Sequence, residues 1–551
     1  MKKNDKKQTS LQRNTQADLV KSSLRICSSS EMRELDEIAE RDFGISPLLL
    51  MENAGRAASQ VILERFPDAG EATEILVFAG CGNNAGDAFV VARRFLTMGR
   101  RVRIFYVEPA RKFKAAVSQN FEILQKLGAK MSGIDSIAVL ESFLSQAKGP
   151  FTVVDGIIGT GLKGPLEGVF YDLVEAINKM RAREVIALDI PTGVHGQTGS
   201  DYSMAVQADL TVSFGFPKLG HFLAPGATKR GELINVDIPL PHAFRKEGGN
   251  FLLMPEPLTS LLRERDRYGH KNSFGHTLLV GGDLGRLGAI LMASDATHRM
   301  GTGLVTVATW ERAFMTVLQK LRSETMAVPI RLNEPDLEKD RGYIQGYSSI
   351  VVGPGLGTHK EAQKVVGELL QYYDGPLVLD ADALTLIADG NLFGLLQNRK
   401  GPTVLTPHPG EMARLLKVET SAVTSDPVQS IKSAVEKTGA VVLLKGAATL
   451  VSSPDSKVFL NHYPNDGMAT AGSGDVLAGM IGGLLGQGMS GLESTVLGVY
   501  LHSLAGELAA KQLGHRSMTA FDIVENISNA FQKIEHPSHP TIAIESRAKI
   551  L

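Results

Sequence analysis

The chain has 551 residues, more than one ordinary hydrophobic core serves, so two domains are the starting expectation. Its 58 basic and 59 acidic side chains leave a net charge of -1, which argues against a broad nucleic-acid footprint while leaving room for a local anion site. Two cysteines, Cys27 and Cys81, can neither build a disulfide framework nor complete a four-thiolate metal site, and point to a reducing compartment.

Residues 1–27 read as a polar, basic leader without the apolar run of a secretory signal. The serines of "SSSEMRELDEIAERDFG" cap a helix, "LLLMENAGRAASQVILERF" supplies a second, and "EILVFAG" reads as a buried strand. That strand runs into "CGNNAGDAFVVARRFLTMG", where turn residues give way to a helix. The same change recurs after "RVRIFYV", "FTVVDGIIGTG" and "EVIALDIPTG". This is the punctuation of a mostly parallel α/β sheet, whose ligand crevice lies at the C-terminal strand ends. The mixed charge, glycine and proline of residues 241–266 mark a boundary, placing one domain at 28–245 and a second at 250–551. The second repeats the alternation through "HTLLVGG", "GLVTVAT", "SSIVVGPGLG", "GPLVLDADAL", "PTVLTPHPGE" and "AVVLLKG". The apolar stretch at 476–506 is interrupted by serines, Glu493 and His502, so it reads as buried helices rather than a membrane anchor.

Three strand ends in the first domain carry polar groups. One holds Gly80, Gly82, Asn83, Asn84, Gly86 and Asp87; the second holds Asp155 and the loop Gly159, Thr160, Gly161, Leu162, Lys163, Gly164 and Pro165; the third holds Asp189 and Thr192. Glycines admit main-chain amides close to an anion, and the carboxylates, amide and hydroxyl can gather as oxygen ligands or acid/base groups. Singly, each also reads as an ordinary turn or cap. Together, "MENAG", "GNNAGDA", "VDGIIGTGLKGP", "DIPTG" and "ADLTVSFGFPKLG" make residues 28–240 resemble the NAD(P)H-hydrate epimerase family.

The resemblance implies that Asn83, Asn84, Ala85, Gly86 and Asp87, together with Gly159 to Pro165, contact a hydrated nicotinamide nucleotide. It implies K⁺ ligands at Asn84, Asp155 and Thr192, and places Asp189 in the reacting region, where it is expected to handle the proton. Ala85 and Ala88 stand where the family has glycines, and Thr192 where it has serine. Alanine is harmless in a helix but strained at positive φ, so these positions test the pocket.

In the second domain, Gly281, Gly282, Gly285 and Gly288 lead a helix bearing Ala289, while Gly357, Asp380, Asp382 and His408 fall at strand or loop ends. Gly472, Ser473, Gly474 and Asp475 open the apolar run "VLAGMIGGLL". At a helix N-terminus these glycines aim amides at phosphate oxygens, and Asp475 is a base for an attacking hydroxyl. With "GPGLG", "LDADAL", "TPHPGE" and "VVLLKGAAT" in order, residues 250–551 resemble the ribokinase-like fold and, more narrowly, the ADP-dependent NAD(P)H-hydrate dehydratases. This implies adenine-nucleotide contacts at Lys445, Gly446, Ala447, Ala448, Thr449 and Gly474, and hydrate contacts at Ala289, Gly357, His408 and Asp475. ADP is the implied phosphoryl donor, with Mg²⁺ screening the phosphates. Asp283, where serine is common, and Asp466 are expected to repel phosphate if they point inward.

The expected architecture is α/β: a Rossmann-like three-layer domain followed by a ribokinase-like one. The expected function is repair of hydrated nicotinamide cofactors, epimerising R- and S-NAD(P)HX at C6 and dehydrating the S form as ADP becomes AMP and phosphate. A ribokinase-like small-molecule kinase fused to a nucleotide-binding domain is the competing reading, with a noncatalytic nucleotide sensor third. The expected setting is cytoplasmic, ahead of a soluble organellar one, with no nucleic-acid or membrane partner; a homo-oligomer is compatible with the buried helices and favoured by the resemblance.

Overall fold

The computed structural model describes residues 19–20, 23–108, 113–147, 149–202, 204–245, 247–262, 264–331, 344–390, 392–455, 457–535 and 549–550. They form two compact units, one from Arg25–Gly248 and Ile542–Leu551, the other from Met1–Leu24 and Gly249–Thr541.

The first unit opens with the helix Ser29–Phe43, started by a reciprocal cap: the Ser28 hydroxyl accepts from Glu31 N (3.1 Å), and the Glu31 carboxylate accepts from Ser28 N (2.7 Å). The helix Pro47–Arg65 follows, capped by Ser46. The sheet runs Lys549–Ile550, Glu232–Val236, Leu210–Phe214, Ala182–Leu188, Phe151–Gly156, Glu74–Ala79, Val102–Val107, Lys130–Ile134, with every pair parallel. Strand alternation divides the core: Ile75, Val77 and Ala79 join one apolar cluster, Leu76 and Phe78 the other. Winding reverses between the neighbouring strands Glu74–Ala79 and Phe151–Gly156, so the loops leaving them must diverge, which opens a crevice at their C-terminal ends.

The second unit repeats this logic. Its strands run Asn250–Leu252, Val458–His462, Ala448–Ser452, Val441–Leu444, Thr403–Leu405, Leu377–Leu379, Ser349–Val352, His276–Val280, Leu304–Trp310, Met326–Ile330. The last seven are mutually parallel, and Ala448–Ser452 is antiparallel to both neighbours. Winding reverses between His276–Val280 and Ser349–Val352. The helices Ser473–Gly486 and Gly491–Leu513 are largely buried. Gly479 lets the first approach the helix Leu287–Arg299: a methyl there would lie 2.1 Å from the Ala293 carbonyl oxygen. No helix among the described residues is long and apolar enough to cross a membrane.

Leu19 and Val20 are buried in the second unit's core beside Phe251 and Leu258. The stretch read as a polar leader to residue 27 therefore contributes apolar packing before it ends, because these two side chains are its most hydrophobic pair.

Candidate active sites

In the first unit, Asp155 ends its strand fully buried. One oxygen accepts from the Thr192 hydroxyl (2.6 Å) and Ile157 N (3.1 Å), the other from Thr192 N (2.8 Å). Burial pushes this carboxyl up to about 6 against those hydrogen bonds. Asn84, in the first turn of the helix Asn83–Thr97, is buried with neither side-chain amide atom hydrogen-bonded. A methyl on Gly159 would sit 3.2 Å from the Asn84 amide carbon, so the loop Gly159 to Pro165 begins against this side chain. Thr160 and Gly164 are half-buried, Leu162 buried, and Gly161, Lys163 and Pro165 exposed. Gly82, the residue before the helix, offers no side-chain cap for its first amides.

The two alanines are at ease. Ala85 and Ala88 are buried inside the helix Asn83–Thr97, and neither has positive φ. Gly156 compensates for Ala88: a methyl on Gly156 would lie 2.5 Å from Ala88 Cβ, so the missing volume has moved to the neighbouring strand.

Asp189 sits beyond the next strand at φ 64, in the left-handed region. Its carboxylate accepts from the buried Lys218 ammonium and from Phe214 N (3.3 Å), and its carbonyl accepts from His221 Nε2 (2.9 Å). Asp36 and Asp87 share this electrostatic environment. Burial raises Asp36 to about 6, with Lys218 opposing and Asp189 reinforcing; it raises Asp87 well above the usual carboxylate range, with Asp189 and Asp36 adding. Burial, then Lys218 and Arg230, holds His221 well below the usual imidazole value. Neither Lys218, His221 nor Asp36 stands out from the motifs of the sequence. Lys218 lies in "FGFPKLG" and His221 directly after it, so a lysine followed three residues later by histidine was the available signal.

In the second unit the crevice collects more charge. Asp380, almost fully buried, accepts from Lys445 Nζ (2.7 Å) and the Thr406 hydroxyl (2.7 Å). Gly474 faces Lys445: a methyl there would lie 3.0 Å from Nζ. Asp475 is in the first turn of the helix Ser473–Gly486, whose preceding residue Gly472 has φ 94 and provides no side-chain cap. Burial, then the Asp380 carboxylate, pushes Asp475 up to about 7, with Lys445 opposing and Asp382 and Glu411 adding. Burial works against the Lys445 charge, yet Asp380, Glu411 and Asp475 hold its value above normal.

Gly446 and Ala447 are exposed in the turn after Lys445, and Ala448 and Thr449 begin the antiparallel strand, the Thr449 hydroxyl donating to the Gly446 carbonyl (3.0 Å). Ala289 lies across from the Gly353–Gly357 loop: a methyl on Gly355 would approach its Cβ to 3.4 Å. Gly357 N donates to Asp382 (2.8 Å), which also pairs with Arg286 (3.1 Å). His408 is exposed and caps the helix Pro409–Leu416, with Nδ1 accepting from Gly410 N (3.0 Å) and Nε2 lying 3.6 Å from the Glu411 carboxylate. Glu411, within "TPHPGE", was not singled out either; its carboxylate accepts from His408 N (2.8 Å).

The two acidic departures do not load the site with bare charge. Asp283 is gripped by the Arg312 guanidinium through both carboxylate oxygens and accepts from Leu284 N (2.7 Å). Burial would raise it, but these partners prevail and hold it below the usual carboxylate value. Asp466 is exposed and hydrogen-bonded to His515 Nδ1 (2.7 Å). Among the described residues, no group of three or more His, Cys, Asp and Glu side chains is placed to hold a metal ion.

Comparison with known proteins matches residues 48–220 to the family described as YjeF-related protein N-terminus, and residues 277–529 to NAD(P)H-hydrate dehydratase. The chain is 36% identical over 530 residues to the bifunctional NAD(P)H-hydrate repair enzyme Nnr of Moorella thermoacetica, covering 94% of this chain and 98% of that one. It is 35% identical to the Nnr of Thermofilum pendens, covering 93% and 97%. A crystal structure of the Bacillus subtilis ADP/ATP-dependent NAD(P)H-hydrate dehydratase co-crystallised with ATP and Mg²⁺ is 28% identical with a TM-score of 0.45, covering 51% of this chain and 98% of that one. By these matches along nearly its whole length, the chain belongs to the family of bifunctional NAD(P)H-hydrate repair enzymes.

Proposed function

We propose that this chain restores hydrated nicotinamide cofactors in two steps, one in each unit. The first interconverts the R and S hydrates at C6; the second converts the S hydrate to NAD(P)H while ADP becomes AMP and phosphate. The observation that carries the reading is the placement of Asp475: a carboxyl pushed up to about 7, at an uncapped helix start, beside a lysine anchored by a buried aspartate.

In the second unit, the uncapped amides of Gly474 and Asp475 and the Lys445 ammonium receive the ADP phosphates, while Lys445 to Thr449 border the nucleotide. Ala289, Gly357 and His408 border the hydrated ring. Asp475 takes the proton of the C6 hydroxyl as its oxygen attacks the terminal phosphorus of ADP, and AMP leaves. Phosphate is now the leaving group at C6; the ring nitrogen lone pair expels it, and loss of the C5 proton restores the double bond. Asp380 and Asp382 are already paired with Lys445 and Arg286, and the described residues gather no cluster of three carboxylates for Mg²⁺. Mg²⁺ would enter on the nucleotide phosphates and screen their charge.

In the first unit, Asn83 to Asp87 and Gly159 to Pro165 border the hydrate. Asp189 handles the hydroxyl proton as the C6 centre opens to a planar iminium or ring-opened form and recloses on the other face. The orphaned Asn84 carbonyl oxygen, with Asp155 and Thr192, suits a large monovalent cation such as K⁺, which would organise substrate oxygens. Two cysteines, too few for a disulfide framework, fit a reducing, cytoplasmic setting.

The deciding experiment supplies pure R or S hydrate with ADP or ATP, with and without K⁺, and follows the absorbance of the reduced ring. The S hydrate is expected to return with ADP alone, and the R hydrate only as fast as epimerisation feeds it. Phosphorylated hydrate accumulating as the end product would instead identify a simple kinase.

A further inference from the structure

Asp189 is held by more than its own loop. Its left-handed backbone is unfavourable for a residue with a Cβ, so the surroundings must impose it. Its N–H donates to the Val212 carbonyl (2.8 Å), and its carbonyl accepts from His221 Nε2 (2.9 Å). His221 Nδ1 in turn accepts from Lys218 N (3.0 Å), which ties the two braces into one loop.

Lys218 completes the arrangement. Its side chain is 0% exposed, and its ammonium donates to Asp189 Oδ1, to the Ser213 hydroxyl (3.2 Å) and to the Phe214 carbonyl (3.0 Å). Three N–H groups meet three acceptors, so none remains for substrate. The Phe214 amide also donates to Asp189 Oδ1, whereas Oδ2 takes no hydrogen bond among the described residues. One oxygen is thus clamped from behind and the other left to act.

Charge supports the same assignment. Asp36 from the helix Ser29–Phe43 and Asp87 from the helix Asn83–Thr97 face this pair, and His221 is held neutral by burial. The buried Lys218 ammonium offsets carboxyl groups that would otherwise repel one another.

We infer that Lys218 is a positioning residue for epimerisation, clamping one oxygen of Asp189 so that the other is presented to the C6 hydroxyl. This rests on the proton-handling role proposed for Asp189. The test uses the full chain and four forms: wild type, Lys218→Met, Asp189→Asn and the double variant. Pure R hydrate reports epimerisation, and S hydrate with ADP reports the other unit in the same preparation. A carboxylate released from its clamp loses alignment, and kcat for epimerisation in Lys218→Met is expected to fall about 100-fold with KM little changed. Because Lys218 acts through Asp189, the double variant is expected to be no slower than Asp189→Asn alone. Multiplying losses, or a Lys218→Met loss confined to KM, overturn the inference, as does wild-type kcat in Lys218→Met when Asp189→Asn is slow. Wild-type kcat in Asp189→Asn overturns the role of Asp189 itself. Should Lys218→Met fail to fold, Ser213→Ala removes one of the three ammonium acceptors: a lowered kcat at unchanged KM supports the clamp, and an unchanged kcat overturns it.

Discussion

Replacing Asp475 by asparagine is expected to trade catalysis for stability, and the structure sets both sizes. Its carboxyl is raised from an ordinary 3.8 to about 7, first by burial and next by Asp380. That displacement corresponds to roughly 4 kcal/mol favouring the protonated form, and water reaching the open crevice reduces the realised figure to about 2 kcal/mol. The sign follows from the direction. Below about pH 4 the carboxyl is protonated whether the chain is folded or not, and no penalty exists. As pH rises towards 7 the unfolded chain ionises freely while the folded one resists, so the wild type loses stability and then levels off. Asp475→Asn removes this loss. Calorimetry is expected to show the second unit melting later in the variant at pH 8, with little difference at pH 4.

Turnover moves the other way. A general base contributes about 100-fold to 10,000-fold, so dehydration of the S hydrate should slow by that range while ADP affinity is largely kept. In the wild type, kcat/KM should decline as pH falls through about 7, because the base becomes protonated; the variant should lack this limb. Wild-type turnover by Asp475→Asn, or an equal melting gain at pH 4 and pH 8, would refute the assignment of Asp475 as a buried, charge-stressed base.

Lys445→Met should destabilise the second unit by about 3–5 kcal/mol in denaturant titration, because Asp380 is left buried without its cation; adding Asp380→Asn should recover much of the loss. Thr192→Val should cost about 1–3 kcal/mol by removing a buried donor to Asp155, and should weaken any K⁺ stimulation of epimerisation, with Thr192→Ser restoring both. Ala88→Gly should lower stability by about 1 kcal/mol without abolishing epimerisation, since glycine loosens a helix. Gly156→Ala should be far more damaging alone than when combined with Ala88→Gly, measured as melting temperature, because the two positions compete for one volume.

The amino-acid order by itself determined the alternation of strands and helices, the strand-end positions of Asp155, Asp189 and Asp380, and the glycine-opened helix at Ser473 that carries Asp475. These follow from local rules: side-chain period, capping chemistry and turn residues act over a few neighbours, and the motifs arrive in family order. Tertiary structure decided what each carboxylate faces. Lys218 lies 29 positions from Asp189, and Lys445 lies 65 from Asp380, yet each pair is in contact, and no local pattern announces such a partner. The same distance rule governs volume: whether Ala88 was tolerable depended on Gly156, a strand away, and whether Asp283 was a liability depended on Arg312. Charge and packing act through space, while periodicity acts along the chain, and that difference separates what could be read from what had to be folded.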